Sequence, residues 1–282
     1  MTCSLAVADA RAFLAAGHRE FRLLRRYPAA FVGQIFWPVL LPSVWVLMGQ
    51  AYSGGGDAQA MDAFASRSGT TGITLFIFVG YAMYMWLSTL LWGPGTSLRR
   101  DQMTGTLEAV FLTPASRLVA LFGPTLVNAV WTLFHLVIMG IAVWLLFGVV
   151  LPLEGVLLTF LVVLAGLPAM YAMGSFFSAG VLRFGEVGPA VQLARGTLSL
   201  LCGITFPLVM LPAWAQTTAA VMPPTYIVET MRNVLLKGAG PLDVARVAVV
   251  LLALAVAFGI LAIVVFTALE RSARRTGMLG RY

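Results

Sequence analysis

The chain has 282 residues, 60% of them hydrophobic and only 10% charged, with a mean hydropathy of +0.92. A water-soluble domain carries about a quarter charged residues to wet its surface, so a soluble globule is excluded. The net charge of +7 would suit nucleic acid if clustered on one face, but its distribution follows membrane topology, and no nucleic-acid partner is expected.

At roughly 20 apolar residues per bilayer crossing, the apolar runs fill most of the chain. Residues 1–28 come first and read as an amphipathic helix. Ala10, Phe13, Leu14, Gly17, Phe21 and Leu24 share one arc, and Arg11, His18, Arg19, Arg22, Arg25 and Arg26 the other. Such a helix lies in the headgroup plane with its arginines toward anionic lipid. A signal peptide fits poorly, because basic residues run through the stretch and no early apolar segment follows the start.

Six spans follow: 29–51, kinked by Pro38 and Pro42; 72–93; 118–148; 155–181; 188–211, broken by Pro207 and Pro212; and 243–268. With the N-terminus inside, the inner segments are 1–28, 94–117, 182–195 and 269–282. They hold all but four of the 18 basic residues, the exceptions being Arg67, Arg232, Lys237 and Arg246. The outer segments also hold Asp57, Asp62, Glu154, Glu229 and Asp243. This positive-inside asymmetry predicts a multi-pass membrane protein with both termini cytoplasmic.

The inner loop 94–117 carries Arg99, Arg100 and Asp101, then GTLEAVFLTPASR over 105–117. Glu108 suits the first turn of a short helix begun near Gly105 and Thr106. Thr113-Pro114 is a stop and restart, since the residue before proline is pushed out of the helical region. The loop reads equally as an amphipathic helix, with Leu107, Val110 and Phe111 on one side, or as a solvated connector.

After span five, Phe206-Pro207 and Leu211-Pro212 break the helix near the outer face, with Trp214 at the interface. Thr225 is then expected to cap a short helix ending at Gly238. On it Tyr226, Glu229, Thr230, Asn233 and Lys237 share a polar arc, and Ile227, Val228, Met231, Val234 and Leu235 an apolar one.

Polar residues inside the spans are few. Asn128, Thr132 and His135 share one face of span three, where they either line a path or make hydrogen bonds between helices. Span-two aromatics, among them Tyr81 and Tyr84, either line a cavity or anchor the interface. Gly166, Gly174, Gly180 and Gly196 are expected to permit close helix packing. Cys3 and Cys202 lie far apart, and with His18 and His135 they fit no metal spacing. A P-loop needs glycine immediately before its lysine, whereas the one lysine, Lys237, follows Leu236. No cofactor and no enzymatic activity are therefore expected in this chain.

The run of charges, then G-T-L-E, then T-P before a span resembles the ABC-2 family of exporter membrane subunits. So do the F-P, L-P, P-x-T-Y and M-R stretch over 203–237 and the tail ARRTGMLGRY at 273–282. The resemblance runs nearly full length and implies a single transmembrane domain over 1–282. That domain is all-α, with six transmembrane helices, an N-terminal interfacial helix, a cytoplasmic coupling helix, and short external re-entrant helices over 212–242 before the last span.

In such a protein Gly105, Thr106, Leu107, Glu108, Val110, Phe111, Thr113 and Pro114 would couple to separate cytoplasmic ABC ATPase subunits, which would hold ATP and Mg. Phe206, Pro207, Leu211, Pro212, Tyr226, Glu229 and Arg232 would form an external gate. Tyr81, Tyr84, Asn128, Thr132 and His135 would line a path. A second copy or a related permease subunit would complete it, and its cargo would be a drug, lipid or lipid-linked molecule, or alternatively a glycan. An ATP-independent channel or secondary transporter calls for charged mid-span residues or an inverted repeat, and an intramembrane enzyme for paired titratable groups at depth; the sequence offers neither.

Overall fold

The computed structural model of the protein describes residues 28–52, 58–103, 117–181 and 187–276. The interfacial stretch 1–27 and the coupling residues 105–114 lie outside these. The described residues are all-helical: α1 (Pro28–Tyr52), α2 (Ala58–Ser68), α3 (Ile73–Met103), α4 (Arg117–Phe147), α5 (Leu153–Val181), α6 (Val187–Leu201), α7 (Ala213–Ala219), α8 (Pro223–Lys237) and α9 (Pro241–Thr276), with a 3-10 turn at Leu208–Met210.

Four of these helices are long and apolar enough to cross a membrane, within α3, α4, α5 and α9, and a shorter apolar stretch, Val32–Met48, lies in α1. α5 is the central post. It packs along α9 and also against α3, α4 and α8, while α3 in turn meets α1, α4, α6 and α8. Leu87, Leu90, Met170, Met173 and Ile227 are wholly enclosed where α3, α5 and α8 meet. α9 shows Leu252, Val256, Ile260 and Val264 to the outside. Those side chains would be a liability in water and are the expected surface in lipid.

Two of the four glycines named for packing do what was expected. A Cβ on Gly166 would stand 2.5 Å from Ile227 Cδ1, and one on Gly174 2.6 Å from Leu90 Cγ. At those points α5 can approach its neighbours only because the side chain is missing. Gly196 is different: nothing lies within 4 Å of its Cβ position, so it does not serve packing within this chain. Gly180 has no described surroundings.

The fifth crossing departs most from expectation. The apolar run 188–211 does not stay helical to Pro207. α6 ends at Leu201 after 15 residues, about 22 Å at 1.5 Å per residue, which falls short of a hydrocarbon core about 30 Å thick. The chain then turns at Gly203, whose φ of +68° is open to glycine at little cost. The two prolines begin elements and do not end one: Pro207 caps the 3-10 turn and Pro212 caps α7. Thr225 is not the cap of α8 either. Met222 holds that place with Pro223 at the first helical position, where a missing N–H costs nothing. The far end is as expected, with Gly238 in the left-handed conformation at φ +67°.

Candidate functional site

Three helical stripes face one another. Gln34, Trp37, Leu41 and Trp45 recur at three- and four-residue steps along α1, as do Ile77, Gly80, Tyr81, Tyr84 and Ser88 along α3, while α6 contributes Arg195 and Ser199 one turn apart. Between them lies a cavity of about 840 Å³. Its walls are largely aromatic and aliphatic, with hydroxyls from Tyr81, Tyr84, Ser88, Ser199 and Thr205. Ser199 and Thr205 share a hydrogen bond of 3.2 Å across the end of α6.

Arg195 is the charged group in this wall. It donates from Nη1 to Ser88 Oγ at 3.0 Å and from Nη2 to Gln192 Oε1. Its guanidinium carbon lies 5.1 Å from the centre of the Tyr84 ring, within cation–π range. No carboxylate lines the cavity among the described residues. Sequence reasoning missed this residue: Arg195 was counted with the inner charges at the start of span five, whereas it stands inside α6, facing the last turns of the apolar stretch of α3.

One end of the cavity is formed by Gly80, Ile204 and Thr205, and a second arginine ties down the turn there. Arg232 of α8 is only 6% exposed. It donates from Nη1 to Gly203 O at 2.6 Å and from Nη2 to Ile204 O at 2.7 Å, with a longer bond of 3.4 Å to Phe76 O. Its guanidinium carbon lies 3.5 Å from the Phe76 ring centre. Burial lowers its pKa to about 9, against the opposing pull of Glu229, so it is charged at neutral pH. The turn leaves two carbonyls at the end of a broken helix without helical partners, and Arg232 satisfies both. Gly80 makes the approach possible, since a Cβ there would stand 2.2 Å from Ile204 O.

Of the expected gate residues, Pro207, Glu229 and Arg232 line one small pocket. Pro207 and Leu211 are buried, Phe206 is half-buried, and Pro212 and Glu229 are exposed. Tyr226 OH donates to Ala220 O at 2.7 Å, tying the start of α8 back to the end of α7. Of the five residues expected to line a path, Tyr81 and Tyr84 line the cavity, while Asn128, Thr132 and His135 do not. Thr132 donates to Asn128 O within α4. His135 Nε2 lies 3.2 Å from Gln34 O and 3.1 Å from Gln34 Oε1. Both partners accept, so Nε2 carries the proton, and the histidine joins α4 to α1.

The chain matches the family model described as ABC-2 type transporter over residues 11–236. No curated protein matches it.

Proposed function

Because the chain belongs to the ABC-2 type transporter family as a membrane permease subunit, we propose that it serves an ATP-driven exporter carrying a hydrophobic or amphipathic substrate outward. The observation that carries this reading is the aromatic cavity between α1, α3 and α6, bounded at one end by the turn that Arg232 ties down. In this reading the chain crosses six times with both termini cytoplasmic in the bacterial inner membrane. α1 is the first crossing, and α6 with the turn after it makes the fifth.

The segment around Gly105 to Pro114 docks onto an ATPase subunit, and closure of the ATPase pair rocks the spans joined to it. A second copy or a related permease completes the path. The external residues from Phe206 to Arg232 are its gate. Tyr81 and Tyr84 are its lining, and the polar face of Asn128, Thr132 and His135 holds helices together. Trp37 and Trp45 also offer stacking faces for a sugar ring, which supports a glycoconjugate as the second reading.

The test is reconstitution with the ATPase encoded nearest this gene. Substrates among drugs, lipids and glycans should stimulate ATP hydrolysis. Glu108→Arg should uncouple hydrolysis from transport, and Ser199→Trp, which puts an indole into the cavity, should impair transport. Flux that persists in proteoliposomes lacking the ATPase would overturn the exporter assignment.

A further inference from the structure

We infer that the cavity selects an anionic amphiphile, whose oxyanion head is held by Arg195 while its apolar body lies along Trp37 and Trp45. This inference rests on reading the cavity as the substrate path, and it names the class of substrate.

An arginine in a largely apolar cavity wall is costly to leave without a counter-charge, and its presence there points to a function with a definable partner. Among the described residues Arg195 has no partner of opposite sign. Its described partners are the Ser88 hydroxyl at 3.0 Å, the Gln192 amide oxygen and the Tyr84 ring face, all neutral. These contacts aim the guanidinium and use two of its five N–H donors, which leaves a full positive charge and spare donors at the cavity wall. Such a fork matches a phosphate or carboxylate, which can accept two parallel N–H bonds. Tyr81 on α3 adds a further hydroxyl to the same cavity wall.

The rest of the wall fits a tail. Trp37 and Trp45 stand two turns apart on α1 and are 54% and 59% exposed, so their ring faces are available to an aliphatic chain. A free inorganic anion would gain nothing from them, and a neutral lipid would leave the arginine uncompensated. Only a molecule with both parts meets both demands.

The probes are three molecules sharing parts: lysophosphatidic acid (anionic head, one acyl chain), monoacylglycerol (same chain, no charge) and glycerol phosphate (same head, no chain). Binding is measured by calorimetry on the purified full-length protein in neutral detergent. Lysophosphatidic acid should bind tightest. Arg195→Gln should weaken it about 10- to 100-fold, the range for losing a charge-assisted pair. Arg195→Lys, which keeps the charge but not the fork, should fall between. Unchanged monoacylglycerol binding in Arg195→Gln would show that the cavity is still folded.

Equal lysophosphatidic acid affinity in wild type and Arg195→Gln, with monoacylglycerol bound as well, overturns the anion selectivity and leaves the cavity as a path for neutral cargo. Glycerol phosphate binding as tightly as lysophosphatidic acid overturns the amphiphile. If neither lipid binds, the inference falls. Block of transport by Ser199→Trp then decides separately whether the cavity is the path.

Discussion

Arg195 and Arg232 are chemically identical and are used in opposite ways. Arg232 is enclosed, with backbone carbonyls at 2.6 and 2.7 Å and a phenyl ring against its face. Its Nη1 and Nη2 donate to backbone carbonyls inside the protein, and what it gains is shape: the turn at Gly203 keeps its form. Arg195 rests on neutral side chains at the rim of a space large enough for a ligand. Its charge is aimed and left open. An arginine among helices is therefore not one kind of feature, and the identity of its acceptors distinguishes a latch from a receptor.

The largest test of that contrast is Arg232→Ala. It strips partners from two carbonyls and opens a void, so stability should fall by about 3 kcal/mol or more, read as earlier thermal unfolding in detergent. Unaltered unfolding would mean the turn does not depend on the latch. Gly80→Ala should come next, at about 1–3 kcal/mol, because its Cβ meets backbone that cannot rotate away. On the open side, Gly196→Ala should stabilise by about 0.4–1 kcal/mol through the unfolded chain, since nothing opposes the added methyl within this protomer. Loss of function with gained stability in that variant would place a partner subunit against α6. Gln34→Leu removes the side-chain part of the α1–α4 bond and should cost about 0.6 kcal/mol. The smallest stability effect belongs to Arg195→Gln. A receptor arginine supports little of the fold, and a drop as large as that of Arg232→Ala would erase the distinction between the two.

How much of this was legible beforehand divides along the same line. Long apolar runs located α3, α4, α5 and α9, because hydropathy and length together decide whether a segment crosses. The fifth run misled for a physical reason: an apolar turn looks like an apolar helix until the backbone angle at Gly203 is known. The prolines at 207 and 212 marked a break, but sequence could not say that they open elements. Arg195 was absorbed into a charge count, since the positive-inside rule sees the sign of a residue and not the wall it faces. Arg232 was named for the gate by resemblance alone; the carbonyls it holds lie 28 and 29 positions away, beyond any local pattern. Gly166 and Gly196 are indistinguishable as letters, and only their neighbours separate a contact from an open space.

α3 carries partners of both arginines: Phe76 beneath Arg232 and Ser88 beneath Arg195. Continuous helix between them spans about 18 Å at 1.5 Å per residue, too short a rod to bend appreciably. Any rotation that withdraws Ser88 from Arg195 therefore turns the ring under Arg232 by the same angle. Spin labels on α3 and α8 should report that motion when cargo binds, and labels that stay still would show the two ends to be independent. The helix would then act as an axle, with synchrony as its consequence: in the exporter reading, cargo leaving Arg195 and loosening of the turn held by Arg232 would be a single event in time.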